Sequence, residues 1–494
     1  GSVCNHDSDS KVIINTKESE RLLPFSYNTD INERYNFLKI LNHGTFGQVS
    51  LYSDKAFENK EYVVKRIKKT STKKFRINQI INEIHILSKL DHPNIVKYYR
   101  TIEDNNNYYI LMEYLSGKDL ATIFEEENSK ITLDDIKYIL YQLFSALSYL
   151  HNNYIVHRDI KPANITCLKN NGKYDIKLID FGLSVNLEKI CVEKCAGSPA
   201  FIAPEAINNY IGVENDMWSC GVILYSYIYG KLPFKADSKS SLFAKITSMD
   251  VEYDESLMKP NIPREAVDLC KKLLEKNYLK RLSAIDCLNH NFLRNYEIFP
   301  EIKDQVLSYF YSKEIIENIR KYVNSNIIKK AFLHCYALLS PYEEEMEYRE
   351  IFLILQKEQN SQGVLDSKCL YDEFKRKKLI ANGDQKVFSL IDSVRTRDVK
   401  TFLHKNYPSS RDVIFNMKDK NSSTVNNNYE FDWGSVPYTV FLCFFYIEKI
   451  LECDSSEYDE KVEYIFKLLS NDAEDDEDEN NGEKKEKHVK NLFI

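Results

Sequence analysis

Paired cysteines, long apolar runs and an excess of one charge are all missing from this chain of 494 residues. Its 11 cysteines are scattered and show no C-x-x-C spacing. That excludes a secreted disulfide framework and reads as reduced thiols in a cytoplasmic protein. Cys191 and Cys195 stand nearest each other and read as two free thiols. No apolar run is long enough to span a bilayer. The nearest, Val436 to Leu451, is short and carries Glu448 and Lys449, so it reads as core. The net charge is −7, too mild for a nucleic-acid binder.

What is present is ordinary for a folded protein: 43% hydrophobic and 29% charged residues, in a length that suits about two to four domains. Gly1-Ser2 at the start, with no methionine, reads as an expression remnant. It leaves lipid attachment of a native terminus open. Residues 1–34 are polar and irregular and read as a flexible extension.

The densest chemistry lies in His157-Arg158-Asp159-Ile160-Lys161-Pro162-Ala163-Asn164. A carboxylate is followed by a lysine two residues on and an amide five residues on. This is the spacing of a phosphotransfer loop: the carboxylate takes a hydroxyl proton, the lysine offsets phosphoryl charge, and the amide binds a metal ion. The motif gains weight from its neighbours. Upstream, the hairpin around Asn42-His43-Gly44-Thr45-Phe46-Gly47-Gln48-Val49 has glycines that let backbone amides approach phosphates. Lys65 follows on the strand Glu61–Ile67, and Glu83 lies on an amphipathic stretch as its prospective partner. Downstream come Asp180-Phe181-Gly182, Ala203-Pro204-Glu205, Asp216 and Arg281, in that order.

Residues 35–293 therefore resemble a eukaryotic protein kinase domain, matched at Lys65, Glu83, Asp159, Asn164, Asp180, Glu205, Asp216 and Arg281. The resemblance implies an α+β bilobal kinase fold and an ATP- and Mg2+-dependent Ser/Thr kinase acting on protein substrates. It implies catalytic roles for Asp159, Lys161, Lys65 and Glu83, and magnesium ligands at Asn164 and Asp180. It lines the ATP pocket with Leu41, Gly44, Gly47, Val49, Val63, Lys65, Met112, Glu113 and Leu115. Met112 would guard the rear, and the backbone of Glu113 and Leu115 would meet adenine. Asp119 would meet the ribose or a basic substrate residue. Glu205 and Arg281 would form a structural ion pair. Asn42 in place of the first glycine, Val63 in place of alanine and Thr166 in place of leucine depart from the pattern. Ala163 replaces a glutamate common in kinases that prefer arginine near the acceptor. Between Gly182 and Gly197 there is no threonine, and Ser184 is the only serine. Glu193 is the acid expected to stand in for an activating phosphate beside Arg158.

Residues 294–340 form a junction. Ile315, Ile319, Val323, Ile327 and Ala331 recur every fourth residue, which predicts one basic amphipathic helix over Glu314–Leu339. Ser340-Pro341-Tyr342-Glu343 then reads as a capping box. Residues 341–494 are expected to form an all-α EF-hand-like domain. The loop from Glu358 has glycine at its sixth place and Leu365 at its eighth, but Cys369 at its twelfth. A second candidate, from Asp392, ends on Leu403, and a third, around Asp432–Val440, ends on Val440. The twelfth place normally supplies a bidentate glutamate, so tight calcium binding is expected at none of them. The run Asp472–Glu479 reads as a solvated acidic segment. The order of kinase, basic helix and EF-like loops resembles the calcium-dependent protein kinases of plants and apicomplexan parasites. That resemblance implies an intramolecular partnership between the helix and the EF-hand-like lobe, in a monomer. Classical calcium activation and a pseudokinase scaffold are the alternative readings.

Overall fold

The computed structural model of the chain describes residues 25–27, 30–44, 47–55, 60–69, 74–126, 131–170, 172–189, 195–300, 302–325, 327–359, 364–380, 435–451 and 465. Alternating strands build the smaller lobe as one six-stranded sheet. They are β1 (Phe25–Tyr27), β2 (Tyr35–Gly44), β3 (Gly47–Asp54), β4 (Glu61–Lys68), β5 (Tyr98–Glu103) and β6 (Asn107–Glu113). The order across the sheet is β1-β5-β6-β4-β3-β2. Helix α1 (Lys74–Leu87) packs Ile80 and Ile84 into the same apolar cluster as Ile67 and Ile110 of the sheet.

Of the flexible extension expected over residues 1–34, residues 1–24 lie outside the described residues, and the described part, 25–27 and 30–34, is ordered. Phe25–Tyr27 pairs in parallel with Thr101–Glu103. A helical turn at Ile31–Arg34, capped by Asp30, buries Ile31. Three strand residues give too short a period to read against a polar background. An otherwise open edge of β5 offers the backbone partners.

The larger lobe is organised by two helices buried on nearly every side, α2 (Leu133–Asn152) and α3 (Glu214–Tyr229). Thr132 and Asp135 close a reciprocal capping box at the start of α2, satisfying amides that the first turn leaves open. Gly230 ends α3 in the left-handed region, with φ 64°, where a side chain would be strained. After α2 the chain makes the loop His157–Asn164 and then an antiparallel hairpin, β7 (Ile165–Asn170) and β8 (Lys173–Leu178). The hairpin register pairs Leu178 with Ile165. The next residues therefore meet as well, and Ile179 N–H donates to the Asn164 carbonyl at 2.9 Å. That register brings Asn164 beside Asp180.

Among the described residues of the C-terminal lobe, the helices are α4 (Lys303–Phe310), α5 (Lys313–Asn324), α6 (Ile327–Leu339), α7 (Tyr342–Gln359), α8 (Ser367–Arg376) and α9 (Tyr438–Leu451). The single helix expected over Glu314–Leu339 is two helices. Ser325 turns extended, and its Oγ–H donates to the Lys321 carbonyl at 2.7 Å. A serine hydroxyl competes with the helical ladder in this way. Ile315, Ile319 and Val323 are buried on α5, as their spacing predicts.

Between α7 and α8, the two-residue strand β9 (Leu365–Asp366) pairs antiparallel with β10 (Ser435–Val436), Leu365 opposite Val436. Both are the eighth residues of their candidate loops, so the first loop is partnered by the third. The second candidate, Asp392–Leu403, and the acidic run Asp472–Glu479 lie outside the described residues.

The C-terminal lobe sits against the kinase-like part. One apolar cluster runs from Tyr62, Tyr99 and Leu111 of the sheet to Tyr336, Leu353 and Phe441 of the lobe. Polar groups cross the same boundary. Arg349 on α7 donates to Asp175 of β8 and to Gln142 of α2. Asp91 accepts from Thr439 N–H and Oγ–H, so a residue of the kinase-like part caps α9.

Candidate active site

Lys65 is set by its place on β4, opposite Val49 on β3 and Ile110 on β6. Its ammonium lies 2.6 Å from Glu83 on α1 and 3.0 Å from Asp180. Burial alone would lower the Lys65 pKa, but the two carboxylates outweigh it and raise it. Burial would likewise raise the Asp180 carboxyl, yet the Lys65 ammonium holds it below the ordinary range. Both groups are charged at neutral pH. Asn82, next to Glu83, donates to the Ser184 carbonyl at 2.7 Å, which ties α1 to the segment after Asp180. Phe181 is fully buried, edge-on to His157 with ring centroids 4.8 Å apart. It anchors the Asp180 backbone, which stands at φ 60°.

The loop His157–Asn164 is held from below. Asp216 on α3 accepts the backbone N–H groups of His157 and Arg158 at 2.9 and 2.8 Å. Burial would raise its carboxyl, but His151 beside it, hydrogen bonded at 3.0 Å, brings it down. The Arg158 backbone is thereby kept at φ 68°, a strained value for a non-glycine residue. Glu205 receives Arg281 through both oxygens, at 2.5 and 3.0 Å, as a buried bidentate pair.

Asp159 is the centre of a further set. Lys161 Nζ lies 2.7 Å from its Oδ2 and 2.8 Å from Ser198 Oγ. Ser198 N–H and Oγ–H both donate to Asp159 Oδ1, at 2.9 and 2.8 Å. Asn164 Nδ2 donates to the Asp159 carbonyl and to its Oδ2. That spends the amide's donors and leaves its oxygen as a prospective metal ligand. Ser198 is absent from the residues the sequence singled out. Its signal was a serine just after Gly197, and its reach to Asp159 depends on a chain reversal that spacing does not report. Arg158, Asp159, Cys195, Phe201, Ile202 and Tyr210 are among the residues lining a pocket beside this carboxylate. Glu193 and Cys191 lie outside the described residues.

The nucleotide side is assembled from the sheet. Gly44 pairs with Gly47 across the β2–β3 turn. A side chain at Gly47 would place its Cβ 2.1 Å from the Arg66 carbonyl, so this glycine is required by close approach. Val49, Val63, Met112 and Leu115 are half-buried and Leu41 is exposed. Glu113 ends β6, and its N–H donates to the Lys97 carbonyl at 2.9 Å. Asp119, the residue expected to meet the ribose or a basic substrate residue, follows the hinge at the start of a short helix. Its carboxylate accepts from Thr122 N–H and Oγ–H at 2.9 and 3.0 Å, which caps the short helix Leu120–Glu126.

The loop positions of the C-terminal lobe are used differently. Glu358, at the first place, pairs with Lys303 at 2.6 Å. Asp366, at the ninth, caps α8 by accepting from Cys369 N–H at 2.7 Å. Val440, at the twelfth place of the third loop, is buried. Among the described residues, no cluster of three or more acidic, histidine or cysteine side chains is arranged to hold a metal ion.

Comparison with known proteins agrees with this geometry. Residues 35–293 match the family described as protein kinase domain. Calcium-dependent protein kinase 4 of Plasmodium berghei is 34% identical over 368 residues, covering 72% of this chain and 67% of the relative. Its namesake in Plasmodium falciparum is 34% identical over 366 residues, with the same coverage. CDPK-related kinase 3 of Arabidopsis thaliana is 34% identical over 278 residues, 55% of this chain and 46% of the relative. An assembled lysine–glutamate–aspartate set, a catalytic-type loop and these relatives converge: the chain belongs to the protein kinase family and is an ATP- and magnesium-using serine/threonine kinase of the calcium-dependent protein kinase type.

Proposed function

We propose that Asp159 is the general base of this kinase and that the C-terminal lobe supports the active arrangement without a calcium switch. Asp159 would take the proton of a serine or threonine hydroxyl as its oxygen attacks the γ-phosphorus. Lys161 sits within reach of the same carboxylate and would offset charge on the transferring group. Lys65, oriented by Glu83, would hold the α- and β-phosphates. Asn164 and Asp180 would hold magnesium, which when bound neutralises phosphate charge. The adenine would bond the backbone of Glu113 and Leu115, with Met112 behind it. Substrates would be protein hydroxyls, reached by a monomer in the cytoplasm.

One observation carries the reading of the lobe. The Lys65–Glu83–Asp180 set is closed while α7 is already docked through Arg349 and Asp175, and the first-loop carboxylates Glu358 and Asp366 are engaged by Lys303 and by α8. A lysine ammonium at Glu358 occupies the charge that a calcium ion would need.

The test is phosphotransfer to a generic protein substrate, titrated against free calcium. Activity that is constant from chelator to millimolar calcium is the expected result. A steep micromolar rise would overturn the calcium-independent reading and favour classical activation. Absence of ATP-dependent transfer at every calcium level would favour the scaffold alternative.

A further inference from the structure

The first residue of the hinge is gripped on both sides by lysines, Lys177 buried and Lys97 half-buried. Glu113 and Lys97 clasp each other through the main chain: Glu113 N–H donates to the Lys97 carbonyl at 2.9 Å, and Lys97 N–H donates to Glu113 Oε1 at 2.6 Å. The Glu113 carboxylate also receives Lys177 Nζ at 2.8 and 3.0 Å. Lys177 is nearly inaccessible, at 2% exposed. The side chain of Lys97 turns the other way, into the C-terminal lobe. Its ammonium pairs with Glu345 on α7 and reaches the carbonyls of Ala337 and Ser340 at 3.4 Å. Glu345 is itself buried and accepts from Tyr438 Oη–H at 3.4 Å. Four charges, two of each sign, thus lie in one desolvated cluster whose members sense one another.

We propose that Glu345 is a positioning residue for the nucleotide: by holding the Lys97 ammonium in the lobe, it keeps that charge away from Glu113 and fixes the hinge backbone that receives adenine. This rests on the hinge reading above. In a medium of low dielectric, a charge that loses its partner seeks the nearest opposite charge. The other carboxylate of this cluster is that of Glu113, already held by Lys177. A shift there moves the carbonyl of Glu113, an adenine contact, and leaves Asp159, Lys161 and Asn164 untouched. The predicted signature is weaker ATP binding with an intact chemical step.

The experiment measures KM for ATP and kcat in the full chain for Glu345→Gln, Lys97→Met and the double variant Lys97→Met/Glu345→Met, with nucleotide affinity checked by calorimetry. Glu345→Gln frees the Lys97 ammonium to move toward Glu113, and Lys97→Met leaves the Glu345 carboxylate to draw Lys177 away from Glu113; each should raise KM about tenfold, a coupling of the usual size between linked sites, with kcat changed by less than about twofold. The double variant strands none, and KM should return to within about twofold of the unsubstituted chain. A rise in KM with kcat unchanged is what a merely structural role would not produce, and rescue by the second substitution ties that rise to the charge pair. If Glu345→Gln does not fold, Lys97→Met makes the same test from the kinase side. Unchanged KM in the single variants, or a double variant no better than either, overturns the proposal. Loss of ATP-dependent transfer in the unsubstituted chain overturns the hinge reading and the proposal with it.

Discussion

The catalytic loop and the C-terminal lobe have kept different things. Around Asp159 each chemical group is in place and oriented: Lys161, Ser198 and Asn164 all reach the same carboxylate. In the lobe two candidate loops meet through a short strand pair, with Leu365 opposite Val436, yet the twelfth places hold Cys369 and Val440. A phosphotransfer site depends on particular atoms at particular distances. A packed lobe depends on apolar area and shape, which many residues supply. Positions that would carry ligands in a calcium-binding loop serve packing and capping here: Val440 is core, and Asp366 closes a helix. One region tolerates little substitution of chemistry, and the other tolerates much so long as its interior is filled.

The widest contrast is made by Asp159→Asn. Asparagine keeps the shape and can still receive Ser198, but it cannot take a proton. A loss of about a thousandfold in kcat is expected, ~4 kcal/mol of barrier, with the melting temperature little changed. Residual transfer within about tenfold of the unsubstituted chain would show that the carboxylate is not the base, and the contrast would fail on its catalytic side.

Arg349→Met probes the other side. Arg349 is 1% exposed and gives its guanidinium to Asp175, which also accepts from Tyr138 at 2.6 Å and from Tyr342. Removing one partner of a buried pair strands the other charge, at a cost of about 3–5 kcal/mol. The expected result is a lower unfolding midpoint and faster proteolysis between the lobes, with kcat reduced far less than by Asp159→Asn. If kcat falls in step with stability, the two regions are one unit and the comparison needs redrawing.

Much of this was legible in the sequence, and for a physical reason. Phosphotransfer concentrates its groups in short contiguous loops, so His157–Asn164 and Asp180–Gly182 announce themselves by order and spacing. Lys65 and Glu83 were readable because a strand lysine and a helix acid have few other reasons to stand in that order. Ser198 was not readable, since only the folded activation segment carries it back to Asp159. The strand at Phe25–Tyr27 was hidden by its brevity, and the break at Ser325 by the unbroken apolar spacing on either side. Least legible was the docking of the lobe. Arg349, Glu345 and Gln356 look like the polar face of α7, but all three are buried against the kinase domain. Periodicity reports that a helix has a polar side; it does not report what covers it.

The smallest effect tests whether the lobe interface itself carries an unresolved charge. Glu350 on α7 is 6% exposed and lies 3.5 Å from Asn170 Nδ2. Asp175 and Glu347 face it with the same sign, Arg349 and Lys173 with the opposite one. Burial first, and then Asp175, push its carboxyl up to about 7. An acid whose folded value is raised binds its proton more tightly in the native state. Its contribution is therefore full below the unfolded value, near pH 4.5, and is lost as pH rises through about 7. Glu350→Gln removes that slope. The variant should match the unsubstituted chain near pH 4 and exceed it at pH 8 by about 1–2 kcal/mol, less than the full shift because the interface relaxes around the charge. Urea unfolding at the two pH values reads the difference. Parallel curves at both would mean that Glu350 finds enough compensation from Arg349 and Lys173. The interface would then be electrostatically settled, as the catalytic loop is, and that part of the contrast between the two regions would disappear.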